Sequence, residues 1–294
     1  MLERLGTERR NNETEELDTM SIQNILRIMN EEDKKVPEAI QKELENVERA
    51  VRLVVESFKS GGRLLYVGAG TSGRLGVLDA VECPPTFGTD PNLVKGVMAG
   101  GESAFIKAVE AAEDREDLGA EDMKLLNVTS NDTVIGIAAS GRTPYVIGAL
   151  RYARERGAST CAISCNKETA ISALADVAIE ADTGPEVLTG STRLKAGTAQ
   201  KLLLNMISTV SMIQIGKVYK NLMVDVQPTN EKLVERSKRI IMEATGISYE
   251  EASTYYDQSK QNIKVAILMA LTNCTAEEAE TKLQASNGFV RQAL

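Results

Sequence analysis

The sequence predicts an α/β fold built on a parallel five-stranded sheet, and three observations carry that prediction. Short apolar runs alternate with stretches of helical period between residues 37 and 225. Two of those runs end in glycine-rich turns that open helices, as strands of a doubly wound sheet do. From Pro228 onward only short amphipathic helical patterns remain, so a small C-terminal helical region follows the sheet.

Residues 1–36 read as an N-terminal arm, with Ser21 as the N-cap of a short helix carrying Ile22, Ile25, Leu26 and Met29. Such an arm lies across the body of the protein or across a second subunit. Pro37 suits the first turn of a long helix in which Ile40, Leu44, Val47, Val51, Val54 and Phe58 form a stripe for packing on the sheet. Leu64 to Val67 is the first strand, buried on both faces. A helix from about Gly73 to Glu82 follows, and Cys83-Pro84-Pro85 should stop it. The second strand, Leu93 to Met98, leads into a helix expected from Glu102 to about Asp114, with Phe105, Val109 and Ala112 inward. The charged stretch Arg115 to Asn131 reads as surface loops or short helices. Strands at Thr133 to Ala138, Ser159 to Ser164 and Val177 to Glu180 alternate with helices at about Tyr145 to Arg156 and Glu168 to Leu174. The segment Asp182 to Gln200 then crosses to a long helix ending near Tyr219. Its apolar residues, from Leu202 to Ile215, go nearly all round, so burial on nearly all sides is expected, with a subunit interface supplying the missing cover. In the tail, Ser248 with Glu251 and Thr275 with Glu278 fit the capping box. The expected division is an arm over 1–36, a main domain over 37–225 and a helical domain over 226–294.

The first glycine-rich turn, in Arg63 to Gly76 (RLLYVGAGTSGRLG), places Gly68, Gly70 and Gly73 around the hydroxyls of Thr71 and Ser72 where a helix begins. That is a site for an anion, most simply a phosphate. Ala139-Ser140-Gly141-Arg142-Thr143-Pro144 repeats the Ser-Gly-Arg element after the third strand, and two such turns can flank one crevice beyond the strand ends. The glycines also satisfy G-x-G-x-x-G, but a dinucleotide site wants an acid at the end of the next strand, where Ala99-Gly100-Gly101 stands instead. Two hydroxyl-rich turns suit one compact phosphate, with Thr71, Ser72, Ser140 and Thr143 as the binding candidates. Arg74 and Arg142 are candidate sources of charge, or else surface ion-pair partners.

Hydrophobic residues make up 43% and charged residues 26%, a globular composition, and the formal charge of -8 argues against a nucleic-acid surface. No apolar stretch is long enough to cross a membrane: Leu202 to Ile215 is interrupted by Asn205, Ser208, Thr209, Ser211 and Gln214. With no signal-peptide pattern, a cytoplasmic protein is expected. Cys83, Cys161, Cys165 and Cys274 lack metal-ligand spacing, and the chain has no histidine, so no metal site is expected. The absence of histidine also removes Ser-His and Cys-His mechanisms and leaves proton chemistry to Glu, Asp, Lys, Tyr or Cys.

GTSGRLG and ASGRTPY, and above all GPEVLTGSTRLKAGTAQK (Gly184 to Lys201), resemble the sugar isomerase (SIS) superfamily and, within it, the N-acetylmuramic acid 6-phosphate etherases. TERRN (Thr7 to Asn11), LDAVECPPTFG (Leu78 to Gly88), AVEAAED (Ala108 to Asp114) and MVDVQPTNEKL (Met223 to Leu233) extend the resemblance over nearly the whole chain. The resemblance implies a three-layer αβα sandwich with a helical tail, acting as a homodimer in cell-wall recycling and amino-sugar catabolism. It implies cleavage of the D-lactyl ether of N-acetylmuramate 6-phosphate, giving N-acetylglucosamine 6-phosphate and D-lactate. Ring opening acidifies the C2 proton, its loss expels lactate from C3, and water adds at C3, with no cofactor. By the family pattern Glu82, in VECPPT, is the principal acid/base and Glu113, in VEAAED, the second catalytic carboxylate. Glu186 and Ser191 are expected to touch the sugar, and Lys195 is either a helper or a solvated charge.

From composition alone Glu82 is a solvated helix-end carboxylate and Glu113 one charge in an acidic run; the resemblance reverses both readings. A non-catalytic sugar-phosphate sensor of the glucokinase-regulator type is the alternative, and it keeps the phosphate turns without needing Glu82 and Glu113. An aldose-ketose isomerase on the same fold uses the same acidic C2 proton.

Overall fold

The computed structural model describes residues 5–107, 109, 111–228 and 230–294. The chain divides into two compact units, residues 1–81 with 92–208 and residues 82–91 with 209–294. The arm thus groups with the sheet, and the segment 82–91 groups with the C-terminal helices.

The first unit is built on five parallel strands: β1 (Leu64–Gly68), β2 (Val94–Met98), β3 (Thr133–Ile137), β4 (Ser159–Ser164) and β5 (Val177–Glu180). Their order is β2-β1-β3-β4-β5, so the winding reverses between β1 and β3. In a parallel sheet the crevice beyond the strand ends opens at that reversal. Alternate residues feed two layers. Leu65, Val67 and Val134 pack with Met123, Val146 and Leu150 of α6 (Glu116–Leu125) and α7 (Pro144–Glu155) on one face. On the other, Thr133 Oγ1 meets Ser57 Oγ of α3 (Leu44–Lys59) at 2.7 Å and the Tyr66 hydroxyl donates to Asp79 at 3.0 Å.

Asp79 lies on α4 (Gly70–Phe87) and also accepts from Asn205 at 2.7 Å and Ser208 at 3.2 Å, both on α8 (Lys195–Gln214). Two of the polar interruptions in the apolar helix therefore satisfy a buried carboxylate that ties it to α4 and β1.

Several expected boundaries move. The helix expected to start at Pro37 is two helices, α2 (Lys35–Gln41) and α3, preceded by α1 (Ile22–Asp33), which Ser21 caps. The break falls beside Glu43, whose buried carboxylate holds Lys167 and Asn46. α4 does not stop at its prolines, because proline φ suits a helix and only two ladder bonds are lost. Gly88 ends it, with its N–H on Pro84 O at 2.9 Å and a left-handed φ of 59°. The helix expected over 102–114 is one turn, α5 (Ser103–Ile106); Phe105 and Val109 are exposed, Ala112 is buried, and Ala108 and Glu110 lie outside the described residues. Conversely, the charged stretch after Arg115 forms α6, which docks on α7 through glycines: a Cβ on Gly119 would fall 1.9 Å from Tyr145 O. The helix expected at 168–174 is a 3-10 turn over Ser172–Leu174.

α8 ends at Gln214, short of Tyr219, and is not buried all round: Leu203, Leu204 and Ile207 are buried, while Met206, Val210 and Ile213 form an exposed stripe. In the second unit a two-stranded hairpin, β6 (Val218–Tyr219) with β7 (Leu222–Met223), precedes α9 (Glu231–Thr245), α10 (Tyr249–Gln258), α11 (Ile263–Thr272), α12 (Ala276–Ala285) and α13 (Val290–Ala293). Both expected capping boxes are formed, at Ser248 with Glu251 and at Thr275 with Glu278. Ile241, Tyr256, Ile267 and Leu268 centre that unit's own core. Among the described residues no helix is long and apolar enough to cross a membrane.

Candidate functional site

The turn after β1 is compact because Gly68 and Gly73 face each other. A Cβ on Gly68 would lie 2.7 Å from Gly73 N, and one on Gly73 would lie 2.6 Å from Met98 Cβ. Only glycine lets the first turn of α4 sit this close on the strand end. The ladder of α4 begins with Gly73 N on Ala69 O at 3.2 Å, which leaves the N–H groups of Gly70, Thr71 and Ser72 ahead of it. The helix dipole adds positive potential there.

Beyond β3 the chain turns through Gly141, held at φ 69° with Thr169 packed where a Cβ would stand. Thr143 is the N-cap of α7 and Pro144 its first residue. This helix start offers fewer donors: Tyr145 N bonds Glu113 O at 3.0 Å, while Val146 N and Ile147 N bond Thr143 O.

The two turns flank one cleft of about 610 Å³ at the β1/β3 reversal. Thr71, Ser72, Ser140 and Thr143 all line it, and so do Glu113 and Asp114. Four hydroxyls, one helix N-terminus and Arg142 among the lining are groups of the kind that bind a phosphate, and Glu113 adds a carboxylate to the wall.

Other expected residues are elsewhere. Glu82 is exposed on α4 and is not among the lining residues. Arg74 is not among the lining residues; its guanidinium donates to Ala104 O at 2.7 Å and Phe105 O at 2.9 Å. Glu186 is fully buried and caps α8, accepting from Lys195 N and Ala196 N, each at 2.9 Å. Burial pushes its carboxyl up, against the pull of those two N–H groups and the Lys195 charge. Ser191 is half-buried outside the lining, and its neighbour Thr192 reaches the cleft instead. Lys195 is neither helper nor solvated: only 1% exposed, it pairs with Glu32 at 2.6 Å. Burial pushes the Glu32 carboxyl up, but hydrogen bonds from Lys195 and Lys35 outweigh it and hold the group below its ordinary value.

The same ion pair anchors the arm, which lies on its own chain. Thr7 is fully buried and accepts from Asn166 Nδ2 at 3.0 Å, and the same amide donates to Ala139 O at 3.0 Å. Glu8 thereby enters the cleft wall. The sequence reading missed Glu8 and Thr192, although both lie inside the motifs TERRN and GPEVLTGSTRLKAGTAQK. Thiol chemistry is remote: burial pushes Cys161 and Cys165 up to about 12.

The chain resembles known proteins in sequence and in fold. Residues 46–154 match the glucokinase regulatory protein N-terminal SIS domain, and residues 109–210 match the SIS domain. Over 294 residues, 100% of both chains, the sequence is 64% identical to an N-acetylmuramic acid 6-phosphate etherase of Bacillus thuringiensis subsp. konkukian and to one of Bacillus cereus strain 03BB102. A Bacillus anthracis relative of the same name is 63% identical over the same span. Among solved structures, an E. coli CFT073 protein solved as a ligand complex aligns at TM-score 0.50 and 13% identity, over 69% of this chain and 97% of that one. A candidate phosphosugar isomerase of Bacteroides fragilis NCTC 9343 aligns at 0.51 and 18%, over 67% and 94%. These two likenesses show the fold.

Proposed function

The chain belongs to the N-acetylmuramic acid 6-phosphate etherase family, and from that premise we propose that it cleaves the D-lactyl ether of N-acetylmuramate 6-phosphate, releasing D-lactate and N-acetylglucosamine 6-phosphate. The observation that carries this reading is the full-length identity of 64% to etherases, with a cleft at the sheet reversal that joins a phosphate-type turn to a carboxylate. The match to the glucokinase-regulator module covers residues 46–154 alone, so the catalytic reading takes precedence over a sensor.

In the proposed site Thr71, Ser72, Ser140 and Thr143, with the α4 amides, hold the phosphate. Glu82 and Glu113 exchange protons at C2 and at the leaving and entering oxygens. Glu113 does so from the cleft wall. Glu82 stands one helical turn from Leu78 and beside Val81, both exposed and apolar on α4, and a homodimer that buries them carries Glu82 into a second subunit's site. The exposed stripe Met206, Val210 and Ile213 on α8 supports the same dimer. Glu8 accepts hydrogen bonds from sugar hydroxyls. Glu186 and Ser191 support the sugar-facing segment from behind, through the α8 cap and Thr192. The sheet-bearing unit, residues 1–81 with 92–208, carries this cleft. A phosphorylated amino sugar and the absence of a membrane-spanning helix among the described residues are consistent with work in the cytoplasm.

Incubation with N-acetylmuramate 6-phosphate tests the reading: D-lactate release is expected, and tight binding without turnover would replace it with the sensor.

A further inference from the structure

Ser72 lines the cleft, yet its hydroxyl hydrogen points away from it. Ser72 Oγ donates to Gln200 Oε1 on α8 at 3.0 Å. A hydroxyl has one hydrogen, and a phosphate dianion takes only donors, so with this bond in place Ser72 has nothing to give to the ligand. Gln200 is 1% exposed, and its Nε2, which carries two donors, has no hydrogen-bond partner among the described residues. A buried amide with an unused donor end beside a hydroxyl of the cleft is an uncommon arrangement that calls for a reason.

The two ends of a glutamine amide have the same outline, so a half-turn about its terminal torsion exchanges them. After that turn Nε2 donates to Ser72 Oγ, and the serine hydrogen swings into the cleft. We propose that Gln200 is the positioning residue for phosphate recognition: its amide reverses when the phosphate binds, giving a relay from Gln200 N–H to Ser72 Oγ and from Ser72 O–H to a phosphate oxygen. This rests on the reading of Ser72 as a phosphate ligand.

The chemistry explains the residue type. Leucine fills the space without a donor, and glutamate only accepts, which locks the serine hydrogen inward; an amide does both in turn. The donated hydrogen bond also polarises the serine hydroxyl, strengthening its bond to the anion. Local packing keeps the relay in register: Gly197, three residues earlier on α8, lies against Thr71, whose Cγ2 would be 3.4 Å from an added Cβ. The long motif that reaches the cleft through Thr192 thus also reaches Ser72, through Gln200.

A double-mutant cycle with inorganic phosphate as competitive inhibitor tests the relay. Ser72→Ala should raise the phosphate Ki about 10- to 100-fold, the loss of a charge-assisted bond. Gln200→Leu should raise it about 3- to 10-fold, the loss of one neutral bond, with KM rising in step while kcat stays near wild type. The double variant should be no weaker than Ser72→Ala, because Gln200 acts only through Ser72. Gln200→Met repeats the measurement in a flexible side chain of similar length, and melting curves on every variant separate binding loss from unfolding. An unchanged or tighter Ki in Gln200→Leu and Gln200→Met overturns the relay while leaving Ser72 as a ligand. Losses that multiply in the double variant overturn it as well, since Gln200 then acts apart from Ser72. An unchanged Ki in Ser72→Ala removes the phosphate reading itself, and the relay with it.

Discussion

The two Ser-Gly-Arg turns share a tripeptide and differ in what they supply. The turn after β1 opens α4 with free-standing N–H groups and turns its arginine away, onto the carbonyls of Ala104 and Phe105. The turn after β3 keeps Arg142 in the cleft lining, but the first donors of α7 are already occupied, and one of them grips the backbone of Glu113. One turn leaves backbone donors ahead of its helix, as the proposed phosphate site needs, and the other holds the backbone of a carboxylate residue beside it. Identical local sequence therefore acquires its role from what packs against it: α5 and α8 at the first turn, the 111–114 segment and Thr169 at the second.

The sharpest test bears on the two proposed catalytic carboxylates, one held beside the second turn and one farther along α4. Glu113→Gln and Glu82→Gln should each lower kcat about 10²–10⁴-fold, as loss of a general acid/base does, with KM little changed. Exchange of the C2 proton with deuterated solvent identifies which of them is the C2 base, since that variant loses exchange together with lactate release. If Glu82 serves a second subunit, mixing and reassociating the two variants should restore about a quarter of wild-type activity, because half of the dimers are mixed and each of these has one intact site. No recovery would place both carboxylates in one subunit.

Gly141→Ala attacks the second turn, where a left-handed φ and a filled Cβ position coincide, and should cost at least about 2 kcal/mol of stability in urea titrations. Gly70→Ala has a left-handed φ of 53° but open space around it, so about 1 kcal/mol is expected. Equal losses would mean that Thr169 yields. Of similar size is Arg74→Met, which should cost about 1 kcal/mol of stability and leave KM for the phosphorylated substrate unchanged. A KM increase as large as the loss of about 10- to 100-fold expected of Ser72→Ala would make Arg74 a phosphate ligand after all.

Away from the cleft, the corrected reading of Lys195 makes its own prediction. Lys195→Met leaves the Glu32 carboxylate buried with Lys35 as its remaining cation, and should destabilise the chain by about 3 kcal/mol. A change below about 0.5 kcal/mol, the size expected of a surface charge, would return Lys195 to the solvated face.

By itself the sequence determined the alternation of strands and helices, the two glycine-rich turns, the capping boxes of the tail and, through its motifs, the family. These are properties of near neighbours: period, glycine placement and proline chemistry act over a few residues, and each leaves a mark in the order of the side chains. Tertiary structure decided the rest. Whether Lys195 is solvated depended on Glu32, 163 residues away, and whether Ser72 faces a ligand or a glutamine depended on Gln200, 128 residues away. A side chain's hydrogen-bond partner is chosen by the folded chain, where one donor meets the nearest acceptor left without water, and no local pattern records that choice.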